Sequence, residues 1–375
     1  MINQKRLVKL TQQLIRINSE NPPGDESRIA VFVKDYLSRL GLKVKIYEFK
    51  KNRSNVVAVL KGRPGRRSLL LTPHLDTVPC GQSWSYPPFA GTIDKGRIYG
   101  LGATDRKGDL AVGLEVISSI VEDGEVLDCN LIFAPTADEE SGSGLGVIPL
   151  LGKGILKPDA AVVLDADDFS IVVAQKGLAH LKVKIEGKRA HGAYPWLGIN
   201  AIDIASLVIQ ELKGRKPRRS KNKYLKASTL NIGTIRGGDK VNVVADWCEL
   251  ELDFRFLPGE SAKKIIEDLR NIIKKHAKKF KIEIEGIQRP YQIDEGHPLV
   301  DGLKKAMRKI GVRPRVEGSE GATVITFFQD KNIPAIATGF GCEGCNHIAD
   351  EYVKISNLYK GAKVLQEFLK NYKPN

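Results

Sequence analysis

Short apolar runs, each followed by a histidine or an acidic residue, constrain this chain most. Runs of this length and composition are typical of strands buried on both faces, and here they alternate with segments of helical periodicity. Such alternation favours an α/β fold in which helices cover a sheet. Proteins with such sheets bind their ligands beyond the carboxyl ends of the strands. The residues that follow the apolar runs are therefore the first candidates for a functional site.

Four of the apolar runs are followed by possible metal ligands or catalytic groups. These groups are His74 and Asp76 after "SLLLTP", Glu139 and Glu140 in "NLIFAPTADEE", Asp165, Asp167 and Asp168 in "AAVVLDADD", and His347 after "IPAIATGFGCEGCN". Asp105, in the glycine-rich loop "GLGATDRKGDL" before a helix, is a fifth candidate. If the runs are neighbours in one sheet, the side chains converge on one edge.

The chemistry of this set points to divalent cations. Two imidazoles and three carboxylates suit two ions of the zinc, cobalt or manganese type, and one carboxylate can bridge them. A paired-metal site polarises a carbonyl group and lowers the pKa of a water molecule, which is hydrolytic chemistry. The alternative for each fragment taken alone is an ordinary turn or a solvated acidic loop.

Two of the acidic residues have further expected roles. On an extended chain, residues two apart face the same side, so the Asp76 carboxylate could accept the free ring N–H of His74 and fix its tautomer. The consecutive Glu139 and Glu140 would point apart if locally extended. One could then hold metal while the other acts as the general base.

The pattern predicts an inserted domain. From residue 178 a strand, a helix, two strands, a helix and a strand follow one another, which is the order of a ferredoxin-like α+β module. We therefore expect residues 1–177 and 292–375 to form a catalytic domain, with a mixed sheet flanked by helices, and residues 178–291 to form the insertion.

Composition limits the other function classes. The net charge of +15 allows nucleic-acid binding, but the densest basic run, 213–226, contains a single aromatic residue, Tyr224, and is typical of a solvated connection. No apolar run approaches the roughly 18 residues of a membrane span, and the charged start lacks a secretory pattern, so we expect a soluble cytoplasmic protein. "CEGC", 342–345, has the spacing of a zinc knuckle or redox loop, but without a second pair of cysteines to complete four ligands we expect incidental thiols.

Motifs along nearly the whole chain resemble those of the M20 family of metallopeptidases and amidohydrolases, which includes acetylornithine deacetylase, succinyl-diaminopimelate desuccinylase and carboxypeptidase G2. They are "HLDTVP", "GLGATDRKG", "APTADEESGSG", "AQKGLAHLKVKIEGKRAHGAYPWLGINAI", "GTIRGGDKVNVVADWCELELDFRFLPGES" and "GCNHIADEYV". The resemblance implies the two-domain plan described above, with an insertion that commonly dimerises.

The resemblance also implies roles for individual residues. One metal is held by His74 and Asp165, the other by Glu140 and His347, and Asp105 bridges them. Asp76 orients His74, Glu139 is the general base, and His191 of a partner subunit donates to the oxyanion. Asn242 and Arg255 bind a substrate carboxylate.

Several alternatives stay open. Asp167 and Asp168 compete with Asp165, since many relatives have Glu-Pro where this chain has "LDADD". Arg255 could form a structural salt bridge, and His191 could be a turn or packing residue. Ser319, Glu320 and Gly321 depart from the family's substrate-binding turn, so the substrate cannot be copied from a relative. His180, His276 and His297 are expected to be structural or exposed.

The expected function is metal-dependent hydrolysis of N-acyl amino acids by a homodimer that binds two divalent metal ions, zinc by preference. A dipeptidase, tripeptidase or carboxypeptidase would use the same chemistry on another substrate. A catalytically inactive binding protein and a basic nucleic-acid-binding protein are the alternatives from other classes.

Overall fold

The computed structural model describes residues 1–65, 67–214 and 220–374, so residues 215–219 of the basic run lie outside the described residues. In these three ranges every helix is too short or too polar to cross a bilayer.

Helices and strands interleave along the chain. The helices are α1 (Gln4–Ile15), α2 (Ser27–Arg39), α3 (Lys107–Glu122), α4 (Val147–Gly152), α5 (Ala201–Gly214), α6 (Ala262–His276), α7 (Pro298–Lys309), α8 (Ile325–Gln329) and α9 (Ile355–Asn371). The strands are β1 (Lys43–Glu48), β2 (Ser54–Leu60), β3 (Ser68–Thr72), β4 (Thr92–Asp94), β5 (Arg97–Tyr99), β6 (Asn130–Phe133), β7 (Ala160–Leu164), β8 (Ser170–Gln175), β9 (Gly177–Glu186), β10 (Thr229–Gly237), β11 (Trp247–Phe256), β12 (Lys279–Gln288), β13 (Tyr291–Gln292), β14 (Arg315–Ser319), β15 (Ala335–Thr338) and β16 (Tyr352–Lys354).

The chain packs into two compact units. One contains Met1–Val173, Ile293–Glu317 and Phe327–Asn375, and the other contains Ala174–Gln292 and Gly318–Thr326. The domain boundaries expected from the sequence remain a prediction.

The first unit contains a mixed sheet, as predicted. Its strands pair in the order β1-β2-β6-β3-β7-β15-β8. The four central strands β6, β3, β7 and β15 are parallel, while β1, β2 and β8 pair antiparallel to their neighbours. Every residue of β7 is buried, which explains its fully apolar sequence "AAVVL", because a strand covered on both faces needs no polar alternation. Helices α1, α3, α7 and α9 pack on one another, and α2 packs on β1 and β2.

The second unit has the ferredoxin-like order β9-α5-β10-β11-α6-β12 that the sequence predicted, with an antiparallel sheet β10-β11-β9-β12. Alternate residues of β9 are buried, and together with β11 they form a core with α5 and α6. Leu269, Ile272 and Ile273 of α6 contribute to this core because their spacing places them on one helix face.

Close packing in the first unit generates a stability prediction. A Cβ atom on Gly361 of α9 would lie 2.2 Å from Cγ of the buried Phe340 ring. We expect Gly361→Ala to lower the free energy of unfolding by about 1–3 kcal/mol, because a packed core cannot absorb the extra methyl group without strain. Urea denaturation measures the change.

Gly152→Ala, at the end of α4 with nothing within 4 Å of the added Cβ, is the control and should change stability by less than about 0.5 kcal/mol. Equal stability of both variants would contradict the packing argument.

Candidate metal centre

The sheet topology brings the sequence candidates together. His74 and Asp76 follow β3, Glu139 and Glu140 follow β6, Asp165 follows β7, and His347 lies beyond β15. Since these four strands are parallel neighbours, their carboxyl ends meet at one edge of the sheet. Asp105 reaches the same place from the loop that leads into α3.

Asp105 lies between the two histidines. Its Oδ1 is 3.1 Å from His74 Nε2, and its Oδ2 is 3.1 Å from His347 Nε2. Each carboxylate oxygen therefore faces a different imidazole, which is the arrangement that a carboxylate shared by two cations needs. His347 Nε2 is also 3.3 Å from the Glu140 carboxylate.

The donor atoms form two groups that share Asp105. His74, Asp105 and Asp165 make one group, and Asp105, Glu140 and His347 make the other. In each group one ligand atom per residue lies within 4.8 Å of the others. The imidazole and carboxylate donors in these groups suit zinc, cobalt or manganese, so the residues fit a pair of divalent cations.

Asp167 and Asp168 make other contacts. Asp167 Oδ1 lies 2.7 Å from Arg106 Nη1, while the carboxylate of Asp168 accepts hydrogen bonds from the Glu343 backbone and from Asn357. Among the described residues, these two aspartates do not belong to either donor group, which favours Asp165 as the ligand.

The contact between His74 and Asp76 differs from the one expected. His74 Nδ1 lies 2.9 Å from the backbone oxygen of Asp76 and 3.6 Å from its carboxylate. The expectation assumed an extended chain, but β3 ends at Thr72 and the following loop turns the carbonyl toward the ring. The Asp76 carboxylate instead accepts the backbone N–H groups of Glu139 and Glu140, at 3.1 and 3.2 Å. Asp76 thus orients His74 through its carbonyl and holds the turn that carries both glutamates.

Glu139 and Glu140 begin a short 3-10 helix, so they are not locally extended as supposed. Glu140 turns toward His347, while Glu139 lies outside both donor groups. Burial, together with the charges of Asp165 and Glu140, raises the pKa of Glu139 to about 8, against the opposing charge of His74. The raised pKa of Glu139 reflects its burial among several carboxylates. Cations bound at this place would offset that excess of negative charge.

Neighbouring carboxylates raise the pKa of both imidazoles. Burial lowers the pKa of His74, but the hydrogen bond to Asp105 and the nearby Asp76 carboxylate outweigh burial and raise that pKa well above its usual range. Hydrogen bonds to Asp105 and Glu140 raise the pKa of His347 to about 10. Burial opposes ionisation of Asp105, yet the charge of Arg106 and the bonds to both histidines hold its pKa well below normal.

Sequence reasoning missed two polar residues that contact the site. The buried guanidinium of Arg106 lies 2.7 Å from Asp165 and 3.2 Å from Asp105. Asn21 donates to the Asp76 carboxylate at 2.9 Å. An arginine in a loop of small residues beside a candidate ligand was an available signal for Arg106, whereas nothing around Asn21 indicated its role.

The remaining candidates lie in the second unit. His191 bridges to Val243, and the N–H of Gly192 donates to the Asn242 carbonyl at 2.8 Å, so the His191 and Asn242 segments are adjacent. Arg255 Nε and Nη2 donate to the Asp253 carboxylate at 2.8 and 3.1 Å, which is the structural salt bridge left open above.

The other histidines and the cysteines have structural surroundings. His276 pairs with Glu211, His297 accepts the N–H of Leu299 at the start of α7, and His180 lies 3.7 Å from Asp253. Cys342 and Cys345 are buried thiols, and in the part of the chain that the structure describes neither belongs to a donor group. This favours incidental thiols over a zinc knuckle.

Comparison with known proteins identifies the family of the chain. The family model for peptidase family M20/M25/M40 matches residues 70–371. The chain belongs to this family. It is therefore a hydrolase of amide or peptide bonds, as the sequence predicted.

Relatives resemble the whole chain. It is 30% identical over 374 residues to acetylornithine deacetylase of Aliivibrio salmonicida, which covers 96% of each protein. A tripeptidase structure from Staphylococcus aureus has a TM-score of 0.83 at 27% identity and covers 100% of this chain and 99% of that one. A Bacillus subtilis structure, titled a dinuclear metal binding peptidase from the M20 family, has a TM-score of 0.77 at 18% identity, with 98% and 97% coverage, and shows the fold alone.

The raised pKa values of the two histidines lead to a prediction about how zinc affinity depends on pH. Because the pKa values of both His74 and His347 are raised, each ring holds its proton more tightly than a free imidazole does and must lose that proton before it can bind a cation. We expect the dissociation constant for zinc to rise by about 100-fold or more from about pH 8 to about pH 6. Calorimetric titration in buffers of different ionisation enthalpy measures both the affinity and the protons released. Binding without pH dependence or proton release would contradict the role of these histidines as ligands.

Proposed function

We propose that this chain hydrolyses the amide bond of N-acyl amino acids, with acetylornithine and succinyl-diaminopimelate types as the first candidates. The observation that carries the proposal is the Asp105 carboxylate, which lies between two donor groups while Glu139 stays outside both. The likeness to an acetylornithine deacetylase over 96% of the chain supports this substrate class.

Two divalent cations would complete the centre, zinc by preference and cobalt or manganese as substitutes. His74 and Asp165 would hold one, Glu140 and His347 the other, and Asp105 both. The Bacillus subtilis peptidase with this fold is described as dinuclear, which supports two cations rather than one. Cations bound there would polarise the substrate carbonyl and lower the pKa of a water molecule.

Glu139 would move the proton. It takes one proton from the attacking water and passes it to the leaving nitrogen, so that water and amide become carboxylic acid and amine. Its backbone N–H is held by Asp76, which fixes the turn from which the side chain extends. Bound cations would lower the pKa of the Glu139 carboxyl group, which burial and the neighbouring carboxylates raise.

His191 would stabilise the oxyanion from a partner subunit. Its Nδ1 accepts the N–H of Ala193 at 3.1 Å, which leaves Nε2 to carry a proton that can be donated to an oxygen. Asn242, exposed on the adjacent segment, would contact the substrate carboxylate. Arg255 is a weaker candidate, since that carboxylate would have to approach Nη1 or displace Asp253.

Exposed apolar side chains of the second unit support a homodimer. Trp196 is 73% exposed and Val241 fully so, and Tyr194, Leu197 and Ile199 are exposed in the same part of the chain. Strand β10 is an edge of its sheet and carries the exposed Ile235. Monomers rarely leave so many large apolar side chains in water, whereas a symmetric interface would cover them.

Peptide hydrolysis is the second candidate, favoured by the likeness to the Staphylococcus aureus tripeptidase structure. The experiment that separates the candidates offers the zinc-loaded protein a panel of acetyl and succinyl amino acids, dipeptides and tripeptides, and detects free amine. We expect acyl amino acids to be cleaved fastest, with activity lost on chelation and restored by zinc or cobalt. Cleavage of peptides alone would favour the peptidase, and hydrolysis that survives chelation would reject the metal-dependent mechanism.

The proposed base generates a mutational prediction. Glu139→Gln keeps the shape of the side chain but cannot take a proton, so turnover should fall by about 100- to 10,000-fold while two metal ions per chain remain bound. Steady-state kinetics and elemental analysis measure the two quantities. Glu125→Gln, which alters an exposed carboxylate paired with Lys370, should leave both unchanged. Near-parental turnover by the Glu139 variant would remove the assigned base.

The shared site generates a complementation prediction. His191→Ala alone should lower the rate without emptying the metal centre. When Glu139→Gln and His191→Ala chains are co-expressed, half of the dimers are mixed and each has one intact composite site. Activity should then return to about a quarter of the parental value, as random pairing in a symmetric dimer requires. Activity that stays at the average of the two single variants would show that His191 does not act on a partner.

A further inference from the structure

Glu351 is a buried carboxylate with three backbone donors, all in the loop that carries Asp105. Its Oε2 accepts the N–H of Gly102 at 2.8 Å, and its Oε1 accepts the N–H groups of Thr104 and Asp105 at 2.8 and 2.9 Å. The residue is 1% exposed. A carboxylate so far from water is tolerated because charge-assisted hydrogen bonds replace its hydration.

These bonds fix the backbone of the bridging residue itself. Gly102 has a φ of 79°, a left-handed conformation that directs the N–H groups of this turn toward a common point. Without an acceptor there, three buried N–H groups would lack hydrogen-bond partners, which destabilises a fold. The turn and the carboxylate therefore require each other.

The same residue belongs to the segment that carries the second histidine. Glu351 stands four positions after His347 and directly before β16, and its carbonyl accepts the N–H of Gly100 at 2.9 Å. Strand β16 pairs with β5, and Thr104 Oγ1 donates to the Tyr352 carbonyl at 2.6 Å. The chain after His347 is thus joined along its length to the chain before Asp105.

Burial does not fix His347, whose side chain is 52% exposed. Its backbone and that of Asp350 adopt left-handed conformations with a φ of 58°, so the turn between His347 and Glu351 is short and specific. Glu351 is the fixed end of that turn, and it contacts the loop that presents Asp105.

We infer that Glu351 is a positioning residue that sets the distance between the bridging Asp105 and the ligand His347, and so the geometry of the second cation site. The inference rests on the proposed metal centre. Glu351 acts through the Asp105 backbone, and among the described residues it belongs to neither donor group. Residues that orient ligands in this way typically change metal affinity 10- to 100-fold when replaced.

The test measures cobalt binding to the full chain, by competition with a chromophoric chelator and by the visible absorption spectrum of the bound ion. Glu351→Gln is isosteric but turns an amide NH2 toward N–H donors, so we expect about 10- to 100-fold weaker binding of one cobalt ion and an altered spectrum. Glu351→Asp keeps the charge one methylene short, should weaken binding less, and carries the test if the glutamine variant does not fold. The melting temperature of each metal-free variant is measured alongside.

Glu115→Gln is the matched control. Glu115 is also a buried carboxylate that accepts a backbone N–H, from Asn3, but it joins α1 to α3 outside the metal centre. It should lower the melting temperature and leave cobalt affinity and spectrum unchanged. A Glu351 variant that behaves like this control, with parental affinity and spectrum, overturns the inference while the proposed function stands. A parental protein that binds no cobalt or zinc overturns both.

Discussion

The site depends on one contact, in which the two oxygens of the Asp105 carboxylate face imidazole nitrogens from opposite ends of the chain. Three more carboxylates, of Glu139, Glu140 and Asp165, surround that contact. So much negative charge in a largely buried place needs compensation. The guanidinium of Arg106 supplies part of this compensation, and two divalent cations would add to it.

The arrangement of the sheet makes this contact possible. Parallel strands β6, β3, β7 and β15 carry the ligands to one edge, but the strands alone do not fix their orientation. Orientation comes from buried hydrogen bonds to backbone N–H groups. Asp76 holds the turn of Glu139 and Glu140, and Glu351 holds the loop of Asp105. Both carboxylates therefore act on the backbone that carries the candidate ligands and the proposed base, rather than on those side chains themselves.

Sequence patterns predicted the strand ends that carry the candidate ligands, and the ferredoxin-like module, because these features depend on residues close together in the sequence. Apolar runs that end in His74, Glu140 or Asp165 show both where a strand stops and what chemistry follows it. The alternation in β9 and the spacing in α6 likewise identified the ferredoxin-like module. The partners of Asp76, Arg106 and Glu351 were not predictable, since each contact joins segments far apart in sequence and depends on the direction of single side chains. The Asp76 carboxylate was expected on His74, and its contact with the glutamate turn emerges only when β3 and β6 are neighbours.

The most direct test of the paired centre is a crystal structure of the cobalt-loaded protein with anomalous diffraction recorded at the cobalt edge. The account predicts two anomalous peaks about 3.5–4 Å apart, the usual spacing of two-metal hydrolytic sites. One peak should lie against His74 and Asp165, the other against Glu140 and His347, with an oxygen of Asp105 on each. A single peak, or two peaks that do not share Asp105, would contradict it.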